Sequence, residues 1–199
     1  KQIVAAKVGG AQAIILKNPI SSSGGVLNTD GSPGELFIPW RVLTHELTDA
    51  RVEPSALNFR NGAKSIALRK NGETMLIMWR DESIDSPPRE EQAYLGDRVE
   101  ISDLWGKRYP PRTDPATGEQ RISVGAVPIF IRNCTEPILR WQLAVNFEKK
   151  KISSETGSHE ESIMGVNTFP QGVNGTVRLK MPGDWKVEPR EWKIQLGVG

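Results

Sequence analysis

Three acidic residues spaced by three, Asp97, Glu100 and Asp103, stand just ahead of Trp105 in the stretch YLGDRVEISDLWGKRYPP, residues 94–111. Paired carboxylates beside an aromatic ring suit hydrolysis of a glycosidic bond. One carboxyl protonates the leaving oxygen, the other attacks or activates water, and the ring stacks on the sugar. That chemistry needs two carboxyls held about 5–10 Å apart across a cleft. The local pattern argues for a different arrangement. If Val99 and Ile101 point into a core, Glu100 and Ser102 point out of it, because side chains alternate along a strand. Asp97 follows Gly96 in a turn. Asp103 opens an Asp-Leu-Trp-Gly corner, where a carboxylate bonds nearby backbone amides. Three acids in three different settings read as scaffold, and no residue of the chain is assigned a catalytic role.

Other reactive side chains are scarce. The single cysteine, Cys134, excludes an internal disulfide and reads as a small buried apolar residue. The two histidines, His45 and His159, form no motif with Cys134 and are too few for a zinc set. Asn28, Asp30 and Gly31 share the opening of a calcium loop, but its closing Glu is absent, so the segment reads as a turn. Phosphate loops, dinucleotide fingerprints and nucleophile elbows are missing as well. Neither a metal nor a cofactor is expected.

The charge balance, 26 basic against 24 acidic residues, lacks the lopsided clustering of a nucleic-acid surface. Lys149-Lys150-Lys151 reads as a solvated turn. No apolar run reaches the roughly 18 residues of a membrane span. Asn133-Cys134-Thr135 and Asn174-Gly175-Thr176 fit the glycosylation sequon, a pattern that arises often by chance. The sequence opens on Lys1 without a methionine and stops within QLGVG, so both ends read as cut.

The elements that would position these residues are mostly strands. Ile3 to Val8 suit a short amphipathic helix stopped by Gly9-Gly10, and AQAIIL, residues 11–16, reads as a strand buried on both faces. Residues 20–35, rich in Ser, Gly, Asn and Asp, form a loop. Ser32-Pro33-Gly34-Glu35 then reads as a helix start, and Leu36, Trp40, Leu43 and Leu47 as an apolar helix stripe. From Ala50 onward, ALNFR, KSIALRK, TMLIMWR, QAYLGDRVEISDLWG, RISVG and VPIFIRN are strand-like runs. Asn61-Gly62, Asn71-Gly72, Gly96-Asp97 and two proline-rich loops, SIDSPPREE and KRYPPRTDPATGEQ, punctuate them. Their spacing of about 8 to 12 residues argues for an antiparallel sandwich. ILRWQLAVNFEKK, SIMGVNTF, GTVRLKMP and EWKIQL read as further strands. The expected architecture is mainly β: antiparallel sandwiches preceded by a short α/β segment. The expected divisions are 1–48, 49–133 and 134–199.

YLGDRVEISDLWGKRYPP followed by RISVGAVPIFI resembles a recurring passage of large bacterial glycoside hydrolases, in which a (β/α)8 barrel is followed by a β-sandwich. AQAIIL and GGVLNTDGSPGELFIPWRVLTHEL resemble the last barrel strand, loop and helix. GTVRLKMPGDWKVEP is similar to immunoglobulin-like modules associated with α-galactosidases. The resemblance implies a non-catalytic accessory region packed on a catalytic barrel, in an extracellular or periplasmic setting. Catalytic carboxylates of such barrels lie at the ends of strands outside this chain. Two alternatives stay open. One is a carbohydrate-binding module that stacks polysaccharide on Trp105, Tyr109, Trp185 and Trp192; the other is a protein-interaction domain that pairs through open sheet edges. A free-standing enzyme has no sequence feature in its favour.

Overall fold

The computed structural model describes residues 1–53, 57, 59, 61–149, 157–179 and 186–198. Within them the chain is mainly β, and its sheets are antiparallel, the architecture expected from the strand grammar. It divides into two compact units, Lys1–Glu136 and Pro137–Gly199.

In the first unit, helices α1 (Gln2–Val8) and α2 (Phe37–Leu47) precede nine strands. These are β1 (Arg51–Val52), β2 (Lys64–Lys70), β3 (Glu73–Trp79), β4 (Arg89–Ala93), β5 (Glu100–Ser102), β6 (Arg108–Tyr109), β7 (Arg112–Thr113), β8 (Gln120–Val124) and β9 (Ile129–Arg132). A six-stranded sheet runs in the order β1-β2-β3-β9-β5-β6, and a three-stranded sheet in the order β4-β8-β7. The β2–β3 hairpin turns on Asn71 and Gly72, with Lys70 facing Glu73. Both turn residues take positive φ, 51° and 83°. Asn-Gly meets that demand because Asn tolerates the left-handed region and Gly enters it freely.

Alternation along β2, β3 and β9 sorts two apolar sets onto two faces. Leu68, Met75, Ile77 and Phe130 pack with Val4 of α1, Leu43 and Leu47 of α2, and Leu104. The opposite parity, Ala67, Leu76, Met78, Ile101 and Ile131, is buried on the other face, and Ile122 and Val124 of the smaller sheet are buried too. The layers are therefore helices, large sheet and small sheet. Because β3 is covered on both faces, it reads TMLIMW, without polar alternation.

Glu91 of β4 joins the two sheets. Its Oε1 accepts from Ala63 N and from Arg80 Nη1, both at 2.9 Å, and its Oε2 accepts from Asn61 N at 2.9 Å. Arg80, just past β3, also donates to Asn61 O and Glu82 Oε1. Glu91 is completely buried, and the Arg80 side chain is 5% exposed.

Several expectations are corrected. AQAIIL is no strand: residues 11–16 are irregular, and Ile15 is 92% exposed. An apolar run becomes a strand only where another strand supplies hydrogen-bond partners, and no strand among the described residues pairs with it. Helix α2 begins at Phe37 with Leu36 as its N-cap and no side-chain cap bond. Ser32 is instead drawn into the preceding loop, where its N–H and hydroxyl both donate to Asp30 Oδ1. Gly96-Asp97 does not close a hairpin. It carries the chain from β4 in one sheet to β5 in the other. Arg89 to Glu91, assigned to a loop by the sequence, open β4, and the proline-rich stretch after Gly106 holds the two-residue strands β6 and β7. ALNFR falls largely outside the described residues.

The second unit holds α3 (Glu136–Ala144), which begins one residue ahead of it, and strands β10 (Asn146–Phe147), β11 (Ile163–Met164), β12 (Val173–Arg178) and β13 (Glu191–Leu196). The helix overturns the strand expected over ILRWQLAV. Glu136-Pro137 supplies an acidic first turn and a residue preset for helical φ. Leu139, fully buried, and Leu143, half-buried, recur at the helical spacing of four, although apolar residues also alternate from Leu139 to Phe147. SIMGVNTF contributes only the two residues of β11. Strands β12 and β13 pair in the register Val173↔Leu196 to Arg178↔Glu191.

Glu91→Ala takes one carboxylate from the buried Arg80 guanidinium, leaving it Glu82 and Asn61 O, deprives the Asn61 and Ala63 amides of their acceptor, and lowers stability by about 3 kcal/mol. The effect is read as a fall in the urea midpoint. A midpoint shifted by less than a third of that amount contradicts the role given to Glu91.

Candidate functional site

The acidic-aromatic stretch becomes the crossover and the β5–β6 hairpin of the large sheet. Asp97 lies in the turn after Gly96, and its Oδ1 accepts the Tyr94 hydroxyl proton at 2.9 Å. That bond holds the Tyr94 phenol above its ordinary pKa. Gly96 has φ 116°, and a Cβ there would stand 2.1 Å from Thr135 Oγ1, so only glycine fits the corner. Gln120 fastens it further, donating to Gly96 O at 2.8 Å and accepting from Leu95 N at 2.7 Å.

Glu100 lies opposite Arg132 on β9 and stands 3.8 Å from Arg108. Asp103 builds the hairpin corner. Its Oδ1 accepts from Trp105 N and Lys107 N, each at 2.9 Å, and Gly106 N donates to Asp103 O at 3.1 Å. All three carboxylates therefore have partners of their own, two of them in the turns that shape the chain. The structure does not gather them in a cleft.

The aromatic candidates sit in different settings. Trp105 is 59% exposed at the corner. Tyr109, on β6, is half-buried. Burial and the Asp103 charge raise its phenol pKa, and Lys107 Nζ lies 5.9 Å from its ring centre. Trp192 is half-buried on β13, opposite Val177, in the other unit. Trp185 lies outside the described residues. Among the described candidates, Trp105 and Tyr109 share the β5–β6 hairpin, and Trp105 alone is mostly exposed.

Two charged features escaped sequence reasoning. Glu46 of α2 is buried, and its Oε1 accepts from Arg132 Nη1 at 2.6 Å. Its Oε2 is buried without a hydrogen bond among the described residues. The partners lie 86 positions apart, so no spacing links them. An open groove of about 420 Å³ lies beside the end of α1 and is lined by Lys7, Gln12 and Arg51 among others, with no carboxylate. It therefore lacks the groups for two-carboxylate chemistry. Among the described residues no His, Cys, Asp and Glu gather in a set able to hold a metal ion.

Cys134 is shielded, and burial pushes its thiol up to about 12. At pH 8 its thiolate fraction is on the order of 10⁻⁴, so it is a poor nucleophile. The folded chain is expected to react with a disulfide reagent at pH 8 at least about 100-fold more slowly than the urea-unfolded chain. Equal rates would contradict this burial. A second expectation concerns acid. The Arg121 hydrogen bond holds Asp114 below the ordinary carboxylate range, and the Lys64 hydrogen bond does the same for Asp81. A carboxylate lowered in the folded state stabilises above its unfolded pKa, about 3.9, and loses that contribution as pH falls through the folded value. The melting temperature should therefore fall below pH 4, less steeply in Asp114→Asn. An identical slope in the variant would contradict the assignment.

No protein-family model matches the chain, and no curated protein matches it. Among solved structures, a family 39 glycoside hydrolase from the gut symbiont Bacteroides cellulosilyticus WH2 is similar over 54% of this chain, at 20% identity and a TM-score of 0.45. The similarity covers 21% of that enzyme's chain, about a fifth of its length.

Proposed function

We propose that this chain is a non-catalytic accessory region of a carbohydrate-active enzyme, with a β-sandwich that packs against a catalytic barrel and supports it. The observation that carries the reading is the fate of the acids around Trp105. Asp97 bonds Tyr94, Glu100 faces Arg108, and Asp103 holds the amides of its own turn. None is left aimed across a cleft, so the stretch that looks most like an active site serves as framework. The sequence passage from Tyr94 to Ile131 supplies the link to carbohydrate-active enzymes.

The surface of residues 1–48 supports the packing role. Val8, Ile14, Ile15, Ile20, Leu36 and Ile38 are all exposed there. Scattered exposed aliphatics are ordinary, but six within 31 positions (8 to 38) are an unusual density outside a contact region. An immunoglobulin-like character for residues 134–199 and an extracellular or periplasmic setting belong to the same reading.

Two measurements test it. The purified chain should show no turnover of a panel of aryl glycosides above a buffer blank; turnover that vanishes in Glu100→Gln or Asp103→Asn would overturn the non-catalytic reading. The chain should also enhance the fluorescence of an apolar dye. Ile14→Ser/Ile15→Ser should reduce that signal at least about twofold while leaving the melting temperature unchanged, because exposed positions contribute little to the fold. A melting temperature lowered by several degrees would show instead that these residues belong to the core.

A further inference from the structure

The dipeptide Asn-Gly occurs three times, at residues 61–62, 71–72 and 174–175. It is the pair in which an asparagine side chain closes most readily on the next backbone nitrogen, because glycine puts no side chain in the way. Closure needs two free groups. The side-chain amide must swing onto the chain, and the glycine N–H must not be held by an acceptor. All three asparagines are exposed, so exposure does not distinguish them. Their hydrogen bonds do.

Asn61 is tied on both sides. Its Nδ2 donates to Glu90 O at 2.6 Å, its own N–H donates to Glu91 Oε2 at 2.9 Å, and Gly62 N donates to Phe59 O at 3.1 Å. Gly175 lies within β12, opposite Ile194. Leu179 N donates to Arg190 O at the end of the same ladder. Bonded pairs alternate along antiparallel strands, so Val177↔Trp192 and Gly175↔Ile194 are bonded pairs too, and Ile194 holds the Gly175 N–H. Asp30-Gly31 can form the same ring by losing water, but Gly31 N donates to Asn28 O, and Asp30 Oδ1 accepts from Ser32.

Asn71-Gly72 is held differently. The β2–β3 ladder closes at Lys70 and Glu73, which leaves both turn residues outside it. Among the described residues, neither the Asn71 side chain nor the Gly72 N–H has a hydrogen-bond partner. Nothing lies within 4 Å of where a Gly72 side chain would begin, whereas the Arg80 guanidinium stands 3.8 Å from the same point on Gly62. The Asn71 amide carbon and the Gly72 nitrogen are therefore adjacent in the chain, unheld and open to water.

We propose that Asn71 is a site of spontaneous modification, where the side chain closes on Gly72 and reopens as isoaspartate. Hydroxide removes the Gly72 N–H proton, and the nitrogen attacks Asn71 Cγ. The N–Cγ bond forms, the Cγ–Nδ2 bond breaks, and ammonia leaves with a proton from water. Water then opens the five-membered imide. Attack at Cγ gives aspartate. Attack at the Asn71 carbonyl carbon gives isoaspartate, in which the main chain runs through Cβ and Cγ. The net reaction consumes one water and releases one ammonia. Isoaspartate lengthens a two-residue loop by one backbone atom and puts a negative charge beside Glu73, so the Lys70↔Glu73 closure loses the turn that suits it. The proposal rests on this turn and not on the accessory role.

Incubation of the whole chain at mildly alkaline pH, then digestion in acid and mass spectrometry of the peptides, tests it. The expected result is isoaspartate in excess of aspartate at residue 71. Its rate should be at least about tenfold above those at residues 61 and 174, because hydrogen bonds there must open first. In urea the three sites should react at comparable rates. Transfer of a labelled methyl group from S-adenosylmethionine by an isoaspartyl methyltransferase should follow the same course. Asn71→Gly should remove most of that label and keep the melting temperature of the fresh natural chain, since Gly-Gly also suits this turn. The aged natural chain should melt lower than the fresh one. Equal rates at the three sites in the folded chain, a preference for residue 71 that persists in urea, label unchanged in Asn71→Gly, or an aged chain that melts as the fresh one does each overturns the proposal.

Discussion

Glu91 sits where the two sheets meet, with none of its surface in water. Burying a carboxylate costs several kcal/mol unless hydrogen bonds and an opposite charge replace its hydration. Here both oxygens are satisfied by the Arg80 guanidinium and two backbone amides. The consequence is geometric: the turn before β2, the end of β3 and the middle of β4 must converge on one side chain. Arg80 N also donates to Gly125 O just beyond β8, so both sheets are fixed to the same point. An apolar contact tolerates small slips of register; a three-partner ionic site does not. Core packing supplies most of the free energy, and this pair selects the arrangement in which the packing occurs.

The large sheet carries the rest of the organisation. Its central strands are buried on both faces, so helices on one side and the small sheet on the other have no freedom to exchange. The Glu46–Arg132 pair ties α2 to β9, on the face opposite Glu91. At the margin of that sheet the acidic-aromatic hairpin is left with turn-building duties. A carboxylate that accepts two backbone amides is committed to holding a shape, and that commitment separates Asp103 from a catalytic acid more firmly than exposure does. At the same corner the Trp105 backbone bonds Asp103 while its side chain is left exposed.

Much of this was legible in the residues. Asn71-Gly72 announced its hairpin because two successive positive φ values are met by few dipeptides, Asn-Gly foremost among them. KSIALRK and TMLIMWR read as strands from their β-branched and apolar content, and Asp103 read as a corner residue from its chemistry. Failures came where tertiary context decides. AQAIIL has the composition of a buried strand, yet a strand exists only beside another. ILRWQLAV mixes alternation with helical spacing, and Pro137 with its preceding Glu136 tips the balance to a helix. The Glu91–Arg80 and Glu46–Arg132 pairs join residues 11 and 86 positions apart through folded geometry alone, so no motif announces them. Four aromatic residues looked equivalent as stacking surfaces, and burial distinguishes three of them: Trp105 is exposed, while Tyr109 and Trp192 are half-buried.

The account's central claim is that this chain supports a catalytic body rather than acting by itself. The most direct measurement is the coding sequence immediately before Lys1. The account predicts successive strand–helix units there, with carboxylates at the ends of two strands to carry the chemistry that residues 94–111 do not. A start codon, or a short leader and nothing more, would contradict it and leave the sandwich to act alone.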